Sequence, residues 1–193
     1  MRLKMKDFVL LALLTALYII VYFVAMMIIS LMGPFGHAIS PGVCGLLSGA
    51  ILVFITRKIG KMWQFTLMEL IIMGVFALMG AGYLPWFITS MIGAVLADVI
   101  ASTSNKPSVL KVAIASGLIH VGNALGGIIP ACFFAEQYMN EWIARGQKPD
   151  QMLEMVKATQ GVMGILGTVI TFILSVIGVY IGYSILKGHL KEN

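Results

Sequence analysis

Six apolar blocks, each about as long as a membrane-crossing helix, divide this chain and leave almost nothing between them. They lie at about 8–31, 42–56, 63–82, 84–102, 109–132 and 161–186. About 20 apolar residues in helical form span the hydrocarbon core of a bilayer. Backbone groups in lipid must be paired internally, so each block is expected to be a helix, and the strand alternation of a membrane barrel is absent. Of 193 residues, 60% are hydrophobic and 11% charged. A soluble domain carries roughly a quarter charged residues. The expectation is therefore an all-α integral membrane protein with a single membrane domain. The block after "MRLKMK" is too long for a signal peptide and is read as an uncleaved span.

The charged residues are unevenly placed. Arg2, Lys4, Lys6, Arg57, Lys58, Lys61, Lys106, Lys111, Lys187 and Lys191 are ten of the thirteen basic residues, and six spans would put them all on one side. Connections rich in Lys and Arg stay in the cytoplasm, which predicts that both termini are cytoplasmic. The net charge of +5 is thus a topology signal and not a nucleic-acid footprint.

The opposite, outer face has three connections. Residues 32–42, "MGPFGHAISPG", form an uncharged loop stiffened by Pro34 and Pro41 and carrying His37. Residues 80–86, "GAGYLPW", carry Tyr83 and Trp86. The third, about 133–160, is long. Phe134, Tyr138 and Trp142 recur every four residues in it, one face of a short amphipathic helix closed by Gly146 and Pro149. A second helix follows, with Asp150 as its expected N-cap. Tyr and Trp favour the membrane interface on their own account. Gathered on one face with His37, they also suggest a binding pocket.

Polar residues inside the apolar blocks are candidates for function. His120 and Asn123 stand one turn apart in "LIHVGNALGGIIP", on a face that Gly127 continues. They either bond to neighbouring helices or line an outward-facing cavity. Glu69 and Asp98 are expected at similar depth toward the cytoplasmic side, too far from such a cavity to serve it. Pairing with Arg57 or Lys106, proton relay and cation binding all remain open for them. Cys44 and Cys132 are expected near the outer ends of their spans as two small buried thiols, with a disulfide as the lesser alternative. Small residues recur at four-residue spacing in Ala12/Ala16, Gly45/Gly49, Gly93/Ala97, Gly122/Gly126 and Gly178/Gly182, a pattern that permits close helix contact.

Six spans, a basic N-terminus, Ala-xxx-Ala within "LALLTALY", "IGAVLADVIAS" at 92–102 and the outer loops resemble the substrate-binding (S) component of an energy-coupling factor (ECF) transporter. More narrowly, the chain is similar to the Trep_Strep, or MptD, group of such components. The resemblance covers essentially the full chain. It implies a bacterial plasma-membrane protein that captures a vitamin or cofactor precursor at the outer face. It also implies a transmembrane coupling protein that docks on Ala12 and Ala16, two cytoplasmic ATPase subunits, and a binding site closed by the three outer loops. On that reading His37, Tyr83, Trp86, His120, Asn123, Gly127, Tyr138 and Trp142 bind the substrate.

No cofactor is expected and no metal-ligand spacing is present; the N-terminus also lacks the histidines of a nickel or cobalt carrier. There is no GxxxxGK[ST] motif, so the chain does not itself hydrolyse ATP by that route. HExxH and GxSxG are absent too, which disfavours an enzyme built on His120 with Glu69 or Asp98. The main alternative is a stand-alone secondary transporter using Glu69 and Asp98 as a proton relay, although no inverted repeat is evident.

Overall fold

The computed structural model describes residues 3–102 and 107–188, and over these the chain forms eight helices and no strand. They are α1 (Met5–Ser30), α2 (Gly36–Lys58), α3 (Gln64–Leu78), α4 (Leu84–Ala101), α5 (Val109–Phe133), α6 (Ala135–Ala144), α7 (Pro149–Thr159) and α8 (Val162–Leu186). Arg2, Lys106 and Lys191, part of the basic-residue pattern, lie outside the described residues. Five helices, α1, α2, α4, α5 and α8, are long and apolar enough to cross a membrane.

The third apolar block is shorter than expected. α3 has 15 residues, a rise of roughly 22 Å at 1.5 Å per residue, against a hydrocarbon core of roughly 30 Å. It stops because Gly80 takes a left-handed φ of 85° and breaks the helix before the expected end at residue 82. α2 shows the opposite departure. It begins at Gly36, so His37, Ser40 and Pro41 belong to its first turns and not to a loop. Pro41 removes the N–H that would bond to the His37 carbonyl. The Ser40 hydroxyl donates to that carbonyl instead, at 3.2 Å, and the helix tolerates the proline.

α2 and α5 form the centre of the bundle: 67% and 61% of their span residues are buried, against 22% for α1. α8 packs along both, α4 packs on α5, and α1 lies at the edge against α2 and α3. The small-residue pairs face one another across two of these seams. On α2, Gly45 and Gly49 meet Ser175, Gly178 and Gly182 of α8, so closely that a Cβ on Gly49 would overlap the Gly178 carbonyl. On α4, Gly93 sits against Gly122 and the Leu118 carbonyl of α5. Without a solvent-driven hydrophobic effect between spans, such backbone approach is a main source of helix association.

The two ends of the bundle differ. At one end Lys61 pairs with Asp7, whose carboxylate also accepts from the Lys4 N–H at 2.7 Å. Arg57 stacks over Tyr183 nearby in the sequence ends of α2 and α8. Asp98, near the C-terminus of α4, caps α3 from outside. It accepts from the N–H groups of Phe65 and Thr66 at 3.1 and 2.8 Å and from the Thr66 hydroxyl at 2.7 Å. These amides belong to the first turn of α3, where helical donors lack internal partners and the dipole favours an anion. Asp98 is fully buried and committed to this cap.

At the other end, α6 and α7 cover the bundle. Tyr138, Met152 and Val156 bury themselves with Tyr83 and Ala131. The four-residue spacing of Tyr138 and Trp142 does define the inner face of α6. Phe134 falls outside that face, as the cap residue, and is 61% exposed. α7 starts one residue before its expected cap: Lys148 is the N-cap, Pro149 opens the helix, and Asp150 lies in its first turn. Cys44 is buried, Cys132 is exposed, and both are free thiols.

Candidate functional site

Between the α6–α7 cover and the bundle lie three adjoining cavities with shared walls. One of about 510 Å³ is lined by Met26, His37, Tyr138, Trp142, Gln151 and Met155, among others. One of about 320 Å³ is lined by Tyr22, Phe76, Tyr83, Trp86, Gly127, Tyr138 and Trp142, among others. A smaller one of about 110 Å³ reaches Tyr22, His37, Trp86, Asn123, Gly127 and Tyr138. Tyr138 borders all three. Together they make a chamber of the size that small-molecule sites occupy.

Seven of the eight residues singled out as substrate-binding line this chamber: His37, Tyr83, Trp86, Asn123, Gly127, Tyr138 and Trp142. They come from α2, the α3–α4 connection, α4, α5 and α6. His120 does not join them. It is 1% exposed, and its Nδ1–H donates to the Ser116 carbonyl at 2.7 Å. That bond leaves Nε2 as the acceptor, and the Tyr18 hydroxyl donates to it at 2.9 Å. Both ring nitrogens are thus engaged, and His120 ties α5 to α1 below the chamber.

Asn123 is the polar floor. Its Oδ1 accepts from Trp86 Nε1–H at 3.0 Å and from the Ser90 hydroxyl at 3.2 Å. Its Nδ2 donates to Glu69 Oε1 and to the Ile119 carbonyl, each at 3.0 Å. Glu69 is therefore close to the site, contrary to the depth expected for it. Glu69 lies five residues past the Asp98-capped start of α3, and the Asn123 carboxamide of α5 stands opposite it, which joins it to the chamber floor. The two acids consequently have different surroundings. Asp98 has amide and hydroxyl donors from α3. Glu69 is 1% exposed, and its Oε2 has no hydrogen-bond partner among the described residues.

The walls are aromatic. Phe76 meets Trp86 edge-on at 5.4 Å between centroids and Tyr22 at 5.0 Å. Tyr83 packs on Tyr138 and Trp142 at 5.5 and 5.8 Å. Burial pushes the Tyr83 and Tyr138 phenols up to about 12, so both stay neutral donors at physiological pH. The buried Trp142 indole N–H has no partner among the described residues. Gly127 leaves room at the wall: a Cβ there would meet the Tyr138 hydroxyl at 3.4 Å.

Sequence reasoning missed Tyr22, Phe76 and Met26 on α1 and α3. Tyr18 and Tyr22, four apart in the first apolar block, were the available signal. Ala12 and Ala16 lie far from the chamber along α1. Both are exposed on its outward face, among Leu13, Leu17 and Ile20.

Nothing among curated proteins or solved structures matches this chain. A family profile described as a hypothetical bacterial integral membrane protein, Trep_Strep, matches residues 5–192. The chain, a multi-pass bundle of apolar helices, belongs to the Trep_Strep family of bacterial integral membrane proteins.

Proposed function

We propose that this protein is the substrate-binding subunit of an ECF-type importer and that it captures a small organic micronutrient in the chamber beneath α6 and α7. The observation that carries the reading is the convergence of Trp86, Asn123, Tyr138 and Trp142, from three separate helices, on adjoining cavities at one end of the bundle. Ligand sites are concave, mostly apolar, and held to a few placed polar groups, and this chamber has that character. On this reading the α6–α7 end faces outward, both termini face the cytoplasm, and all six apolar blocks count as spans, with α3 a short one.

The exposed Ala12/Ala16 face of α1 supports the partner assignment. Small residues on an unburied helix face let another membrane helix approach closely. A transmembrane coupling protein would dock there, with two ATPase subunits supplying the energy that this chain has no motif to extract. A stand-alone proton-coupled carrier is the second reading, favoured by the incompletely bonded carboxyl of Glu69. Asp98, its expected partner in a relay, is occupied as the cap of α3, which weighs against it.

The test is uptake by cells that express the chain with and without an ECF coupling module. Dependence on that module and on ATP supports the binding subunit. Transport by the chain alone, abolished by a protonophore, would favour the carrier.

A further inference from the structure

The chamber combines an aromatic lining with a one-sided charge. The protein carries a net charge of +5. Yet among the described residues that line the three cavities there is no lysine or arginine, and Glu154 is the one side chain with a fixed charge. A second acid stands just beneath. Glu69 is bonded through one oxygen to Asn123, and its other oxygen has no hydrogen-bond partner among the described residues. A carboxylate or phosphate entering here would find no lysine or arginine on the cavity walls to offset its lost hydration and would meet Glu154.

A positive charge finds the opposite. The ring faces of Tyr, Trp and Phe attract cations, most strongly when water is excluded. Tyr138 and Trp142 supply such rings beside Glu154, an exposed residue of α7, in the cavity of about 510 Å³, and Tyr22, Phe76 and Trp86 add theirs in the adjoining one of about 320 Å³. Trp142 already holds one cation: Arg145, bonded to Glu141, stacks 5.2 Å from its centroid without lining the chamber. The unpartnered Trp142 N–H adds a donor on the same wall.

We propose that the chamber selects a flat organic cation, a nitrogen ring system with a positive charge and a hydrogen-bond acceptor on its edge. The inference rests on the substrate-binding reading and names the chemical class of that substrate.

Three ring-matched probes test it: 1-methylnicotinamide (cation), nicotinamide (neutral) and nicotinate (anion). Each is titrated against the full chain in nanodiscs of zwitterionic lipid, with tryptophan fluorescence as the readout. The cation is expected to bind roughly tenfold tighter than the neutral ring, and nicotinate to give no saturable change. Glu154→Gln and Glu69→Gln should each narrow the cation preference several-fold. Equal affinities, a preference for nicotinate, no saturable response to any probe, or an unchanged preference in both variants would overturn the proposal. Native mass spectrometry separates this from failure of the underlying reading. A co-purified neutral or anionic molecule would overturn the cation class while leaving the binding function in place.

Discussion

Trp86 donates its indole N–H to Asn123 at 3.0 Å, and the same carboxamide donates to Glu69 at 3.0 Å, so a wall of the chamber and a buried acid are held by one side chain. Removing that side chain strands three groups: the indole N–H, the Ser90 hydroxyl and the Glu69 carboxyl. A buried group left unsatisfied costs about 1–3 kcal/mol. Asn123→Ala should therefore lower the unfolding midpoint in detergent and weaken ligand binding together. Glu69→Gln in the same background should restore part of the stability, because it removes the stranded acid. Strict additivity of the two changes in a thermal double-mutant cycle would show that the two residues are not coupled.

The Tyr18–His120 bond makes a separable prediction. Tyr18→Phe leaves the buried Nε2 acceptor without its donor, at a cost of about 1–3 kcal/mol. Because His120 stands below the chamber, stability should fall while affinity for ligand at low temperature changes little. A large loss of affinity in a variant that melts normally would place His120 in the site after all.

Asp98 is expected to act on α3 alone. Losing an N-terminal cap costs about 0.5–2 kcal/mol. Asp98→Ala should destabilise the protein by an amount in that range, and Asp98→Asn, which keeps one acceptor oxygen, by less. Both would be read by denaturant melts. If Asp98→Asn instead abolished uptake with no change in stability, the proton-relay reading would gain.

The helix seams predict a sharp contrast between glycines. Gly178→Val would drive a side chain into the Gly45 carbonyl and Leu46 backbone of α2, where neither can yield. Loss of monodisperse protein on gel filtration is expected. Gly74→Ala, with nothing within 4 Å of the new Cβ, should be neutral or stabilising by up to about 1 kcal/mol.

Ala12→Leu and Ala16→Leu test the docking face. Both positions are exposed, so folding and ligand binding should be unchanged. Co-purification with an ECF coupling protein should be lost. Retained assembly would remove this face from the interface.

Much of this architecture was legible in the sequence because lipid permits little choice. The helices α4, α5 and α8 match the apolar blocks at 84–102, 109–132 and 161–186 to within a residue at each end. The start of α2 was hidden because a proline usually marks a break, and the Ser40 hydroxyl that rescues the His37 carbonyl is visible only in three dimensions. The Tyr138–Trp142 face was legible from its spacing alone. The partners of His120 and Glu69 were not. Tyr18 is 102 residues from His120, and Asn123 is 54 from Glu69. Helical periodicity says which face a residue occupies, but not which helix will stand opposite.

The central claim is that the chamber under α6 and α7 holds a small organic molecule. Native mass spectrometry of the protein released gently from detergent tests it most directly, comparing the wild type with Trp86→Ala and Ala12→Leu. The account predicts a stoichiometric small molecule on the wild type and on Ala12→Leu, and its loss from Trp86→Ala. A ligand retained equally by Trp86→Ala would contradict it, since the binding site would then lie elsewhere.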